Sequence, residues 1–221
     1  MPSKERVPYR KFGDFGKGRV NAPDSESGSE RTADYYDEKF SSDVSFTQHY
    51  TESRYYGLWA IILDRLRRAR NPRVLEIGCG TGQLAHLLHD MRFLDSYVGI
   101  DFSSVAIKQA QIRNPNWKFL CADIFEDRTL EDGDYNVVVS TEFLEHVEED
   151  LAVVRRIRPS TMVIASVPNF PHPEHVRHFP NSQEVYGRYI PYFEELYVFP
   201  LPAHQSGLFH FLFQGYRNNE V

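Results

Sequence analysis

The chain has 221 residues, of which 41% are hydrophobic, with a formal net charge of −6 and two cysteines, Cys79 and Cys121. That length supports one sizeable α/β core, and the negative charge argues against a general nucleic-acid binder. Two cysteines in or beside predicted strands argue against a disulfide framework, and without a membrane-length apolar run or a signal-peptide core the expectation is a cytoplasmic protein with no membrane partner.

Residues 1–34 read as a tail. Lys4, Arg6, Arg10, Lys11, Lys17 and Arg19 outweigh Glu5 and Asp14 there, and residues 21–30 are mostly Ser, Asp, Glu, Gly and Pro without apolar periodicity. Such a segment buries too little surface to offset its ordering entropy, so it is expected to be disordered or loosely docked; a basic arm for an acidic partner is the alternative. From Ala33 the chain turns aromatic, with Tyr35, Tyr36, Phe40, Phe46, Tyr50, Tyr55 and Tyr56. Leu58, Ile61, Ile62 and Leu66 then mark one face of a helix predicted over roughly residues 52–69, which Asn71-Pro72 ends.

Val74 to Ile77 read as a buried strand, followed by Gly78, Gly80 and Gly82 at alternate positions and by Leu84, Leu87, Leu88 and Met91 at helical spacing. Bare glycines let a ligand approach the backbone, and the free N–H groups of the helix start favour a polar or anionic partner. A dinucleotide fingerprint places its third glycine three residues after the second. Here Gly82 follows Gly80 by two, which disfavours NAD or FAD. A second strand from Tyr97 ends in Asp101, an acid placed to accept ribose hydroxyls. Ser103 is a natural N-cap for a helix from Ser104 to about Asn114, and Phe102 offers a face to an adenine or simply packs. A third strand from Trp117 ends in Asp123 and Ile124. Val137, Val138 and Val139 form a fourth strand, 136–140, with both faces buried. A helix is expected from about Glu148 to Arg158, then strands at 162–167, 196–199 and 210–214. Glu76 with its glycines, Asp101 and Asp123 would all sit at the carboxyl edge of a parallel sheet, where ligands bind in open α/β folds.

The run Glu76-x-Gly78-x-Gly80-x-Gly82, with Asp101 and Asp123 behind it, resembles the class I S-adenosylmethionine-dependent methyltransferases; the likeness extends to the small-molecule, ubiquinone-pathway type of O-methyltransferase. The resemblance implies an α/β fold with a single doubly wound, seven-stranded, mostly parallel Rossmann-like sheet, its last strand inserted antiparallel, over residues 35–221. It implies S-adenosylmethionine as cofactor, held by Glu76, Gly78, Gly80, Gly82 and Ser140, with Asp101 on the ribose, Phe102 beside the adenine, and Asp123 and Ile124 on the adenine edge. The segment before the glycine turn would cover the cofactor, with Tyr36 closing over the methyl donor and Arg54 pairing with the methionyl carboxylate. An aromatic staple between the N-terminal helix and the sheet is the other reading of these two residues. Asn136 replaces the family's frequent Asp, and Pro159-Ser160-Thr161 its Pro-Gly-Gly turn.

Methyl transfer to a hydroxyl needs alignment and a base near the attacking oxygen. His146 titrates near neutrality and is the candidate base, with Glu142 orienting it or holding the acceptor; a backbone-bonded His146 and a loop-capping Glu142 are the alternatives. His172, His175 and His178 follow the fifth strand. Glu142-Phe143-Leu144-Glu145-His146 is similar to a stretch of the small-RNA 3′-end 2′-O-methyltransferases, but Glu-x-Leu-Glu-His-Val is shared with the ubiquinone-pathway type, and no metal ligand is assigned. Residues 168–192, with a short helix after Asn181-Ser182, form the expected acceptor lid. The expectation is methylation of a small-molecule hydroxyl, without a nucleic-acid partner. The alternatives are a metal-dependent RNA 2′-O-methyltransferase and a non-catalytic S-adenosylmethionine-binding scaffold.

Overall fold

The computed structural model describes residues 28–203, 205 and 207–219. Of the tail expected over residues 1–34, residues 1–27, which include all of its net-basic first twenty positions, therefore lie outside the described residues. Fourteen regular elements follow: α1 (Ala33–Ser42), α2 (Tyr56–Arg68), β1 (Arg73–Ile77), α3 (Gln83–Met91), β2 (Ser96–Asp101), α4 (Ser104–Arg113), β3 (Lys118–Cys121), α5 (Thr129–Asp132), β4 (Val137–Thr141), α6 (Asp150–Arg156), β5 (Met162–Pro168), α7 (Ser182–Tyr189), β6 (Phe193–Pro202) and β7 (Phe209–Arg217).

The strands form one seven-stranded sheet in the order β3-β2-β1-β4-β5-β7-β6. β1 to β5 pair in parallel, with Leu75 facing Val98 on one side and Val138 on the other. β7 enters antiparallel between β5 and β6. Alternate residues of the central strands feed two cores, as the period-2 pleat requires. Leu75, Ile77, Val138, Val163 and Ala165 pack with residues of α5, α6 and α7 on one face. Val74, Val137, Val139 and Ile164 pack with α2, α3 and α4 on the other. The chain leaves β1 toward β2 and β3, then returns to β4 on the opposite flank. The crevice beyond β1 and β4 is thus the topological switch point of the sheet.

Element boundaries differ from the sequence expectation where local capping intervenes. α2 starts at Tyr56 rather than near Glu52, because Tyr50–Glu52 forms a 3₁₀ turn whose N-cap is His49. α1 was not expected from periodicity; among its residues only Phe40 is buried, so its apolar stripe is thin. Its hold is polar: Asp37 accepts hydrogen bonds from Ser104 Oγ (3.0 Å) and Val105 N (3.2 Å), as well as from Ser103 Oγ, at the start of α4. Ser103 is itself the α4 N-cap, accepting from Ala106 N at 3.1 Å. β6 and β7 run longer than expected. β6 is an edge strand with a register shift between Phe193 and Leu196, so its alternation is broken, and Pro200 and Pro202 are tolerated there. Asn136, the departure before β4, accepts from Arg73 N at 2.8 Å and donates to Asn71 O at 3.1 Å, tying down the start of β1.

Candidate active site

A cavity of about 570 Å³ opens at the carboxyl ends of β1, β2 and β4. Tyr36, Arg54, Glu76, Gly78, Gly80, Asp101, Phe102, Asp123, Ile124, Glu142 and His146 all line it. Gly82 and Ser140, also expected there, do not. Gly82 sits in the left-handed region (φ 73°), and a Cβ on it would lie 2.8 Å from Asn114 Nδ2 and 3.0 Å from Ala110 Cβ; its bareness serves the approach of α3 to α4. Ser140 is buried within β4, one residue short of the strand end, and it is Thr141 that faces the cavity.

Two carboxyls lie beside the glycine turn, and one of them bonds it. Asp101 accepts from Gly80 N on one oxygen and from Ser103 N on the other, each at 2.9 Å. Every carboxylate oxygen has a second lone pair, so Asp101 still has capacity for hydroxyl donors. Burial pushes its carboxyl up to about 6, against the pull of those backbone donors. Glu76, at the end of β1, accepts from Tyr97 Oη. Burial raises its carboxyl to about 8, with Tyr97 partly offsetting. Asp123 caps its own turn by accepting from Phe125 N at 2.9 Å. Phe102 packs against Tyr36, with ring centroids 5.5 Å apart.

Across the cavity, a second set of polar groups meets α1. Glu174 accepts from Tyr35 Oη at 2.7 Å and pairs with Lys39. Burial would raise the Glu174 carboxyl, but Lys39 and Tyr35 outweigh it and hold it below its ordinary value. The Glu174 carbonyl receives the His146 Nδ1 proton at 2.9 Å, and Tyr36 Oη lies 3.1 Å from the same nitrogen. Because a carbonyl can only accept, Nδ1 carries the hydrogen and Nε2 keeps a lone pair. That nitrogen lies 4.0 Å from Glu145 Oε1. Burial lowers the affinity of His146 for a second proton. Glu142 adopts the left-handed region (φ 52°), an uncommon conformation for a residue with a side chain. It is held by Ser166 Oγ at 3.0 Å and His210 Nδ1 at 2.9 Å. Burial alone would raise the Glu142 carboxyl; His210 holds it below the usual value.

His172 and His175 line the cavity, whereas His178 does not. Arg54 lies over the Tyr55 ring, 5.7 Å from its centroid, and among the described residues forms no ion pair. Glu174, Lys39 and His210 were not expected at the site. His210 begins an alternating strand, and its inward position follows only from the antiparallel register with β5, which sets it beside Pro168.

The donors fit an adenosine-containing cofactor. Asp101 with its free lone pairs, apolar walls from Phe102 and Ile124, and a second acid at Asp123 share one cavity with the glycine turn.

Comparison with known proteins accords with this geometry. Residues 74–160 match the family model described as a methyltransferase domain. The chain is similar to the eEF1A lysine and N-terminal methyltransferase of Mus musculus, 32% identical over 143 residues, covering 57% of this chain and 20% of that protein. It is similar to the ubiquinone biosynthesis O-methyltransferase of Albidiferax ferrireducens, 31% identical over 116 residues, covering 48% of this chain and 45% of the relative. It spans less than half the length of either. Among solved structures it shares the fold of the N-terminal domain of EvdMO1 with SAH bound, at TM-score 0.57 and 15% identity, covering 73% of this chain and 80% of that one.

Proposed function

From the methyltransferase domain matched by residues 74–160, we propose that the chain binds S-adenosylmethionine in the cavity and transfers its methyl group to a hydroxyl of a small molecule. The observation that carries this reading is the convergence of Glu76 and the glycine turn, Asp101 and Asp123 from successive strand ends on one cavity. When bound, the cofactor supplies a sulfonium whose S–CH₃ bond breaks as the new O–CH₃ bond forms, releasing S-adenosylhomocysteine and a proton. Asp101 holds the ribose, Phe102, Asp123 and Ile124 flank the adenine, and Arg54 takes the methionyl carboxylate. Tyr36, ordered by its packing on Phe102 and Phe40, closes over the methyl donor. His146 and Glu142 stand on the acceptor side. Alignment by such fixed groups is the main catalytic resource of a displacement that needs no acid for its leaving group.

A protein acceptor is the second reading, favoured by the likeness to the mouse enzyme that methylates eEF1A. The closure of α1 over the acceptor side through Glu174 supports the small molecule instead.

Calorimetry with S-adenosylhomocysteine tests the cofactor assignment. Asp101→Ala should weaken binding by roughly 1–3 kcal/mol, the cost of removing a buried acceptor from its donors. Unchanged affinity would remove the ribose assignment. Transfer of a labelled methyl group to hydroxylated small molecules, and not to lysine-bearing proteins, is expected. His146→Ala should lower that turnover while leaving cofactor affinity intact.

A further inference from the structure

Beneath the acceptor side lies a carboxylate that the transfer reaction does not use. Glu145 is fully buried, and neither of its oxygens has a hydrogen-bond partner among the described residues. A buried carboxylate without donors is costly. Arg177, whose charge acts on Glu145, is engaged elsewhere, with the carbonyls of Leu144 and Glu148 at 2.6 and 2.7 Å and with Asp150 at 3.5 Å.

What surrounds Glu145 is a matched set of lone pairs. His146 gives its Nδ1 proton to the Glu174 carbonyl, and His175 gives its own to the Phe170 carbonyl at 3.1 Å. Both imidazoles are thereby fixed as the tautomer with a bare Nε2. A carbonyl on the far ring nitrogen is the usual second-shell arrangement of a metal-bound histidine. Glu145, His146 and His175 each offer one ligand atom, all within 4.8 Å of one another. The loop carrying His175 is pinned at this height by Val176 N, which donates to the Glu145 carbonyl at 2.8 Å.

We propose that Glu145, His146 and His175 bind a divalent first-row transition-metal ion at the acceptor side of the cavity. Two imidazoles and one carboxylate suit zinc, manganese, iron(II) or cobalt better than magnesium or calcium, which favour all-oxygen sets. An ion about 2.1 Å from each donor holds them roughly 3 to 3.5 Å apart, so a small inward rotation of the side chains closes the set. The ion supplies the missing partner for Glu145. Because His146 and His175 also line the cavity, it can meet an acceptor oxygen and ease loss of its proton. The role of His146 is then to hold the ion rather than to act as a direct base. The inference rests on the cavity being the transfer site, but its test does not require turnover.

Co²⁺ is the probe. Chelator-stripped protein titrated with Co²⁺ should take up one ion by this set, seen as visible ligand-field absorption and by calorimetry, and should melt at a higher temperature when loaded. Glu145→Gln, which keeps shape, and His175→Ala should each lower Co²⁺ affinity by at least about tenfold, while S-adenosylhomocysteine affinity is retained. Retained nucleoside binding without Co²⁺ uptake by the wild type would overturn the metal site and leave the cofactor reading standing. Uptake unaffected by both substitutions would also overturn it. So would uptake abolished instead by His86→Ala, which would place the ion at the surface cluster of His49, His86 and Asp90.

Discussion

Glu76 shows what a single buried side chain does in this molecule. Its folded carboxyl is raised to about 8 from an ordinary 4.5, chiefly by burial, with Tyr97 Oη and the Asp101 charge as the facing groups. Between those values the native state holds a proton that the unfolded chain has released. Stability from this group is therefore full below about pH 4.5 and is lost as pH rises toward 8. Relative to Glu76→Gln, the wild type should lose up to about 1.4 kcal/mol per pH unit across that window, measured by urea unfolding at several pH values. A pH-independent difference would mean that Glu76 stays ionised in the folded protein. At this scale the sequence was informative where an acid ends a strand, as for Asp101, or follows one closely, as for Asp123, which lies two residues past the end of β3 rather than at it as the sequence suggested. It was uninformative for Ser140, because whether a residue at a strand's end faces the cavity or the sheet depends on the pleat. The partners of Glu142 were hidden for the same reason: Ser166 and His210 lie on neighbouring strands, and only register brings them together.

Among the elements, the glycine turn divides its labour. Gly80 (φ 50°) leaves Phe40 as the nearest group to a would-be Cβ, at 3.7 Å, which is ordinary contact. Gly82 instead brings α3 against α4. Gly82→Ala should destabilise the fold by roughly 1–3 kcal/mol, from left-handed strain together with the clash on Asn114 and Ala110, and should change cofactor affinity little in the folded fraction. Thermal and chemical unfolding with parallel calorimetry would check this; an alanine tolerated without loss would show that α4 can retreat. Helices with broad apolar stripes, such as α3 with Leu84, Leu87 and Leu88, were legible from spacing alone. α1 was not, since its place is set by Asp37 on α4 and by Tyr35 and Lys39 on Glu174, contacts that span 66 to 139 positions in the chain.

The whole sheet depends on its last strand. Arg217, at the end of β7, is 1% exposed and donates to the carbonyls of Ile157 (3.2 Å), Tyr192 (2.6 Å) and Arg155 (3.1 Å). It thus joins the end of α6 to the turn before β6. Each buried acceptor deprived of its donor costs about 1–3 kcal/mol. Arg217→Met should therefore lower unfolding stability by at least about 2 kcal/mol, read from denaturant melts; a loss below half that would show water replacing the guanidinium. The architecture itself was legible from alternating strand and helix patterns, though the strand order entered by resemblance. Among the described residues no helix is long and apolar enough to cross a membrane.

Cys79 lines the cavity yet is only 5% exposed, while Cys121 is open to solvent. Burial and the nearby Asp101 and Glu76 charges raise the Cys79 thiol well above its ordinary value, so it resists alkylation in the closed protein. In a Cys121→Ser background, the rate at which maleimide consumes the remaining thiol would time how often the core that Cys79 shares with Leu84, Tyr97 and Phe119 opens, and S-adenosylhomocysteine should slow it. The glycine turn thus carries its own stopwatch for the breathing of the core beneath it.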